Sequence, residues 1–260
     1  MSTSLPAIDE SIRTLNVLGC AVQAVSADRL TDLLEDAVNS GQPCIIANHN
    51  LHSLYLYQRD AKLRKMFSRA RWTHVDGMGI VLLARLLGTP IERSMRVTYV
   101  DWFPLLLERA AKRDWRVFYL GSKPGVADKG LSILRKTYPG LTMQVAHGYF
   151  DPMGRENDDL LETIRKFEPD VVMVGMGMPR QEHWIVDNFE LLGPVVVLPC
   201  GAAIDYVAGE IPTPPRWAGR CGLEWLYRLA AEPGRLWKRY LIEPWFVLLL
   251  MGRHWLRSER

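Results

Sequence analysis

No hydrophobic run in this chain is long enough to cross a bilayer. The longest, WFVLLLMG at 245–252, falls far short of the roughly 20 residues a spanning helix needs. The opening residues, MSTSLPAIDESIR, have no basic stretch followed by an apolar one, so no signal peptide is expected. Cysteine is scarce. Cys20, Cys44, Cys200 and Cys221 lie far apart with no C-x-x-C pair, which excludes a disulfide scaffold and fits reduced, buried thiols in a cytosolic protein. There is no Walker loop and no G-x-G-x-x-G, so dinucleotide binding loses its main support. A D-x-D sequence that would hold a metal–nucleotide diphosphate is also missing, as are internal repeats and low-complexity linkers. A net charge of +3 over 260 residues is too small to argue for a nucleic-acid partner.

What is present is a chain able to bury a core, with 48% hydrophobic and 23% charged residues. From about 43 to 200, short apolar runs alternate with helix-length amphipathic segments. CIIAN (44–48), RVFYLG (116–121), LTMQVAHG (141–148), DVVMVGM (170–176) and VVVLPCG (195–201) read as strands. A helix is predicted through LYLYQRDAKLRKMF, and others at 124–138, 154–168 and 180–192. Strands apolar at nearly every position and separated by helices predict an α/β fold, a Rossmann-like, mostly parallel sheet with helices on both faces. The prolines of IPTPPRW (211–217) break the pattern, and a helical appendage is predicted after them, giving units 1–210 and 211–260. That appendage differs in material. From Arg216 onward it has nine Lys/Arg against four Asp/Glu, and five of the nine tryptophans (Trp217, Trp225, Trp237, Trp245, Trp255). Tryptophan and basic side chains together suit a membrane surface, with Phe246–Met251 and Trp255 facing lipid, although solvated charges and packed tryptophans would give the same composition.

Ligands of such sheets sit beyond the carboxyl ends of the strands. Each predicted strand ends in polar or glycine-rich residues: Asn48–His52, Gly121–Gly125, His147–Asp151, Gly175–Glu182 and Cys200–Asp205, with Asp76-Gly77 near them. Gly121 and Gly125 either bare backbone N–H groups to a diphosphate or only turn the chain into a helix. His49 and His52 have no third ligand at suitable spacing, so no metal or cofactor is expected. Asp76 either caps the helix that follows, worth about 1 kcal/mol, or serves as a general base beside a glycine that admits substrate.

The ordered motifs D-G-x-G (76–79), R-V-T (96–98), G-S-x-P-G-V (121–126), Y-P-G-L (138–141), H-G-Y-F (147–150), G-M-G-x-P-R-Q-E (175–182), D-x-x-A-G (205–209) and E-W-L-Y-R…E-P-x-R (224–235) resemble the WecG/TagA/CpsF glycosyltransferases over about residues 15–245. The resemblance implies inverting, metal-independent transfer from a UDP-sugar to a polyprenyl-diphosphate-linked sugar, by a protein peripheral to the inner face of the cytoplasmic membrane. It makes Asp76 the base, with Asn48, Asn50 and Gln181 beside it and Gln181 orienting the sugar. Tyr149 and Asp205 would hold uridine, and Arg228, Arg235 and Lys238 would neutralise diphosphate. Gly121 and Arg96 join the substrate-binding set.

The family's T-x-N-x-E becomes Asn48-His49-Asn50-Leu51-His52 here, and Tyr99 replaces the glycine of R-V-T-G-x-D while Asp101 is retained. The N-H-N-L-H-S-L-Y-L-Y stretch is similar to a GumM-like exopolysaccharide branch, which implies a β-linked glucose as the transferred sugar. N-acetylmannosamine or its uronic acid is the family alternative. A nucleotide-dependent oxidoreductase would need a dinucleotide fingerprint, and none is present. A non-catalytic nucleotide-binding subunit of a polysaccharide assembly complex is the remaining reading. The oligomeric state stays open, a homo-oligomer included.

Overall fold

The structure, a computed structural model, describes residues 12–215, 217–218 and 222–258, apart from the side chains at 254, 255, 257 and 258. The N-terminal residues read above, Cys221 and the Trp255 side chain lie outside the described residues.

Eight strands form one sheet: β1 (Thr14–Val17), β2 (Cys20–Gln23), β3 (Cys44–His49), β4 (Trp72–Val75), β5 (Arg116–Gly121), β6 (Thr142–Ala146), β7 (Val171–Gly175) and β8 (Val196–Pro199). Their spatial order is β1-β2-β4-β3-β8-β7-β5-β6. Only the β1–β2 hairpin is antiparallel. Between and around the strands lie α1 (Ala27–Asn39), α2 (Leu51–Tyr57), α3 (Ala61–Arg69), α4 (Met78–Leu86), α5 (Tyr99–Lys112), α6 (Val126–Thr137), α7 (Arg155–Phe167), α8 (Arg180–Asn188) and α9 (Ala203–Val207).

The run of apolar residues in each central strand is explained by burial on both faces. Ile46, Val117, Tyr119, Met173 and Leu198 pack with α1, α5, α6 and α9. Their neighbours Ile45, Phe118, Val172, Val174 and Val197 face the other way, against α3, α7 and α8. Adjacent residues of a strand point to opposite faces, so a strand covered twice has no polar phase.

Three features differ from the sequence reading. The hairpin β1–β2 and strand β4 join the sheet although neither was predicted. Each is four residues long, and the register pair Asn48–His74 puts polar side chains inside a buried ladder. The single helix predicted through 54–67 is two, because the Asp60 side chain accepts from the Lys62 and Leu63 N–H groups at 2.9 and 3.0 Å and starts a new helix.

After 211 come α10 (Glu224–Ala231), α11 (Pro233–Trp237), a π-helical turn (Lys238–Ile242) and α12 (Glu243–Ser258). These residues share core with the body. Val247 is buried in the cluster made by Leu15, Val17, Leu54, Ile80 and Val81, and Phe246 meets Tyr55 edge-on at 5.2 Å. The predicted lipid-facing run 246–251 is therefore divided. Phe246, Val247, Leu250 and Met251 turn inward, while Leu248 and Leu249 are 44% and 67% exposed, and Trp245, just before the run, is exposed as well. Helical periodicity forces that division, since no 16-residue helix lying on a surface can present all its sides to one medium.

Candidate active site

The carboxyl ends of β3–β8 open into one cavity of about 730 Å³, closed on its far side by α10, α11 and the start of α12. A nucleoside-diphosphate sugar falls in the size class of such pockets.

Asp76 follows β4, and its N–H donates to the His49 carbonyl at 2.8 Å, locking its backbone to the end of β3. Gly77, with φ of +85°, is the N-cap of α4 and no side chain caps that helix, so Asp76 is not the helix cap. Instead Asn48 and Asn50 each donate a side-chain N–H to Asp76 Oδ2 at 3.2 Å. Asn50 is itself fixed as the N-cap of α2 by a reciprocal bond pair with Ser53. One carboxylate oxygen is thus held from two sides, leaving Oδ1 for other partners. Asn48 Oδ1 is buried with no partner among the described residues, an acceptor at the cavity wall.

Asp205, just after β8, accepts from Ser122 Oγ at 2.7 Å. Burial raises the pKa of its carboxyl, and the Ser122 bond opposes the rise. Tyr149 lies at the rim, 57% exposed, with the Arg180 guanidinium 5.6 Å from its ring centre. Gln181 lines the cavity, but its Oε1 already accepts from the Gly177 and Gly201 N–H groups at 3.1 and 3.2 Å. Its predicted part in orienting a sugar must share the side chain with that duty.

Arg228, Arg235 and Lys238 all reach the cavity wall, Arg228 lying 6.0 Å over the Tyr206 ring and Arg235 paired with Glu232. Arg239, not singled out from the sequence, joins them. Burial lowers its pKa, while Asp76 and Glu243 act against the shift. Its only sequence signal is that it adjoins Lys238.

Two predicted binding residues are elsewhere. Arg96 does not line the cavity: its guanidinium bonds Asp101 and Glu224, both at 2.9 Å, tying the body to α10. Gly121 is a packing glycine, because a Cβ there would lie 2.3 Å from the Gly175 carbonyl oxygen of the neighbouring strand. The two histidines are held by separate partners. His49 stacks on Phe67 at 3.8 Å and bonds Ser53 Oγ at 2.8 Å, whereas His52 Nδ1 meets Glu243 Oε2 at 2.6 Å. The His52–Glu243 contact joins the start of α2 to the start of α12 at the cavity edge.

The chain is similar to proteins named N-acetylglucosaminyldiphosphoundecaprenol N-acetyl-beta-D-mannosaminyltransferase. It is 28% identical to that of Bacillus spizizenii, over 82% of this chain and 80% of the relative. It is 29% identical to that of Bacillus subtilis over 80% and 78%, and 26% to that of Staphylococcus aureus over 77% and 72%. Residues 15–260 match the model of the glycosyl transferase WecG/TagA/CpsF family, so nearly the whole chain, cavity wall included, is accounted for by one family, and this protein belongs to it.

Proposed function

We propose that this chain is an inverting, metal-independent transferase that moves an N-acetylhexosamine of the manno type from UDP to a polyprenyl-diphosphate-linked sugar. The observation that carries the reading is one cavity holding both a carboxylate oriented by two amides and a wall of four cationic side chains. Asp76 Oδ1 takes the proton of the acceptor hydroxyl as its oxygen bonds to the anomeric carbon. The bond from that carbon to the UDP oxygen breaks on the opposite side, and UDP leaves with the electron pair. Arg228, Arg235, Lys238 and Arg239 carry the diphosphate charge, guanidinium forks being suited to phosphate oxygens. The unpartnered Asn48 Oδ1 accepts from a sugar hydroxyl. The manno donor follows the names of the relatives. A glucosyl donor is the second reading, favoured by His52, which pairs with Glu243 where the family pattern has a glutamate.

The protein acts at the cytoplasmic face of the membrane in this reading, where a lipid-linked diphosphate lies. Among the described residues no helix is long and apolar enough to cross a membrane. The outward face of the C-terminal segment has exposed Trp217, Trp237, Trp245, Leu249 and Leu256, suited to the headgroup level.

Tyr149→Ala and Asp205→Ala are each expected to weaken UDP binding by about 1–3 kcal/mol, the range for a base stacked on an aromatic ring. Isothermal calorimetry reads this directly, and wild-type affinity in both variants would move the nucleotide away from this end of the sheet.

A further inference from the structure

Glu182 is wholly buried at the start of α8, one residue beyond the cavity-lining Gln181. Its Oε1 accepts from Gln181 Nε2 at 2.7 Å, and its Oε2 has no partner among the described residues. A buried carboxyl half satisfied in this way is costly and needs a reason beyond packing. The reason lies in what Gln181 does with its other end. Oε1 receives the N–H groups of Gly177, in the loop after β7, and Gly201, in the loop after β8. Both glycines have positive φ, +79° and +56°, which turns their N–H groups inward. The loops also approach closely through Gly175, where a Cβ would lie 2.5 Å from the Gly201 carbonyl oxygen. Gln181 therefore spans two adjacent loops, after β7 and β8, that both line the cavity. Without an acceptor for its Nε2, this amide would leave a buried N–H unpaired and would do better turned into the cavity, toward water.

We propose that Glu182 is a positioning residue: it holds the Gln181 amide inward, and Gln181 in turn staples the β7 and β8 loops at the spacing that transfer requires. Burial, opposed by the Gln181 bond, raises the Glu182 acid to about 7, so much of it carries a proton near neutrality and glutamine is a close replacement. The inference rests on the transferase reading for its kinetic arm only.

The test compares Glu182→Met with Glu182→Gln in the full-length chain. Methionine removes the acceptor together with an unpartnered oxygen, so the stability lost with the staple is partly offset and the chain should still fold. Hydrogen exchange at the Gly177 and Gly201 amides should quicken at least tenfold in the methionine variant and stay near wild type in the glutamine one. Turnover should drop at least tenfold with methionine and be largely restored with glutamine, while UDP affinity changes less than threefold. Unchanged exchange at both amides in Glu182→Met overturns the staple whatever the kinetics show. Quickened exchange with undiminished turnover, or turnover lost only in step with melting temperature, overturns the positioning role. A wild-type protein that neither binds UDP nor transfers sugar would count against the transferase reading, and the exchange result would still decide the staple.

Discussion

Asp76→Asn should lower turnover by about 10²–10⁴, the usual worth of a general base, and leave UDP affinity and folding close to wild type. Folding is spared because Asp76 caps no helix. Its carboxylate receives two amide N–H groups through one oxygen, and the carbonyl of an asparagine can receive them in the same place. What the variant lacks is a basic oxygen for the acceptor proton. UDP affinity is spared because the groups assigned to the nucleotide, Asp205 and Tyr149, follow β8 and β6, other strands of the sheet. Measured kcat, calorimetric Kd for UDP and a melting curve separate the alternatives. A loss of activity that merely tracks a loss of stability would return Asp76 to a structural role.

The second large effect concerns acid. His49 and His74 stand on adjacent strands in the middle of the protein, and burial pushes their pKa values down to about 3 and about 4. The His74 ring lowers the His49 value further, while Asp76 only partly offsets the burial of His74. His74 lies edge-on to Tyr99 and Trp102, and the backbone of Val75 and Val97 favours its charged form too weakly to offset burial. A depressed folded-state pKa means that the unfolded chain binds more protons between the ordinary value of 6.5 and the folded one. The stability is therefore complete above pH 6.5 and drains away as pH falls toward 4. From pH 6.5 to 5 each histidine should remove about 2 kcal/mol. Glu182 titrates in the opposite sense over this range, its raised pKa returning stability as pH falls, so the net curve understates the effect. Comparison with His74→Phe isolates it. Relative to wild type the variant should gain about 2 kcal/mol between pH 6.5 and 5 in denaturant unfolding. Parallel pH profiles for the two proteins would show that His74 does not titrate against folding.

The central strands were legible because burial on both faces leaves them apolar at every position, as in Val171–Val174 and Val196–Leu198. β4, Trp72–Val75, was not, since threonine and histidine hide a strand that is nonetheless buried throughout. β1 and β2 alternate buried and exposed residues over only four positions each, too short for period two to declare itself. The site was legible where chemistry sits at a strand end: Asn48, Asn50, Asp76, Tyr149, Gln181 and Asp205 all line one cavity. Gly121 and Arg96 sit outside that lining, because a motif position does not say which way a side chain is used. One is a contact between neighbouring strands and the other an internal ion pair. Glu182 and Arg239 were given no role of their own for a related reason. Their meaning depends on what lies across the cavity, the loops after β7 and β8 for one and Asp76 and Glu243 for the other. No local pattern encodes such distances.

The central claim is transfer of a sugar from UDP to a lipid-linked diphosphate sugar. The full-length protein, in buffer containing a chelator, would be incubated with UDP-N-acetylmannosamine, UDP-N-acetylglucosamine, UDP-glucose and UDP-galactose in turn. The acceptor arms would be polyprenyl-diphosphate-linked N-acetylglucosamine and glucose, presented in anionic vesicles, with product mass read out. The expected result is one product heavier by a single N-acetylhexosamine residue, formed from UDP-N-acetylmannosamine and lost in Asp76→Asn. A product heavier by one hexose, formed from UDP-glucose, would select the second donor. No product from any pair, or product only when a divalent metal is restored, would contradict the account.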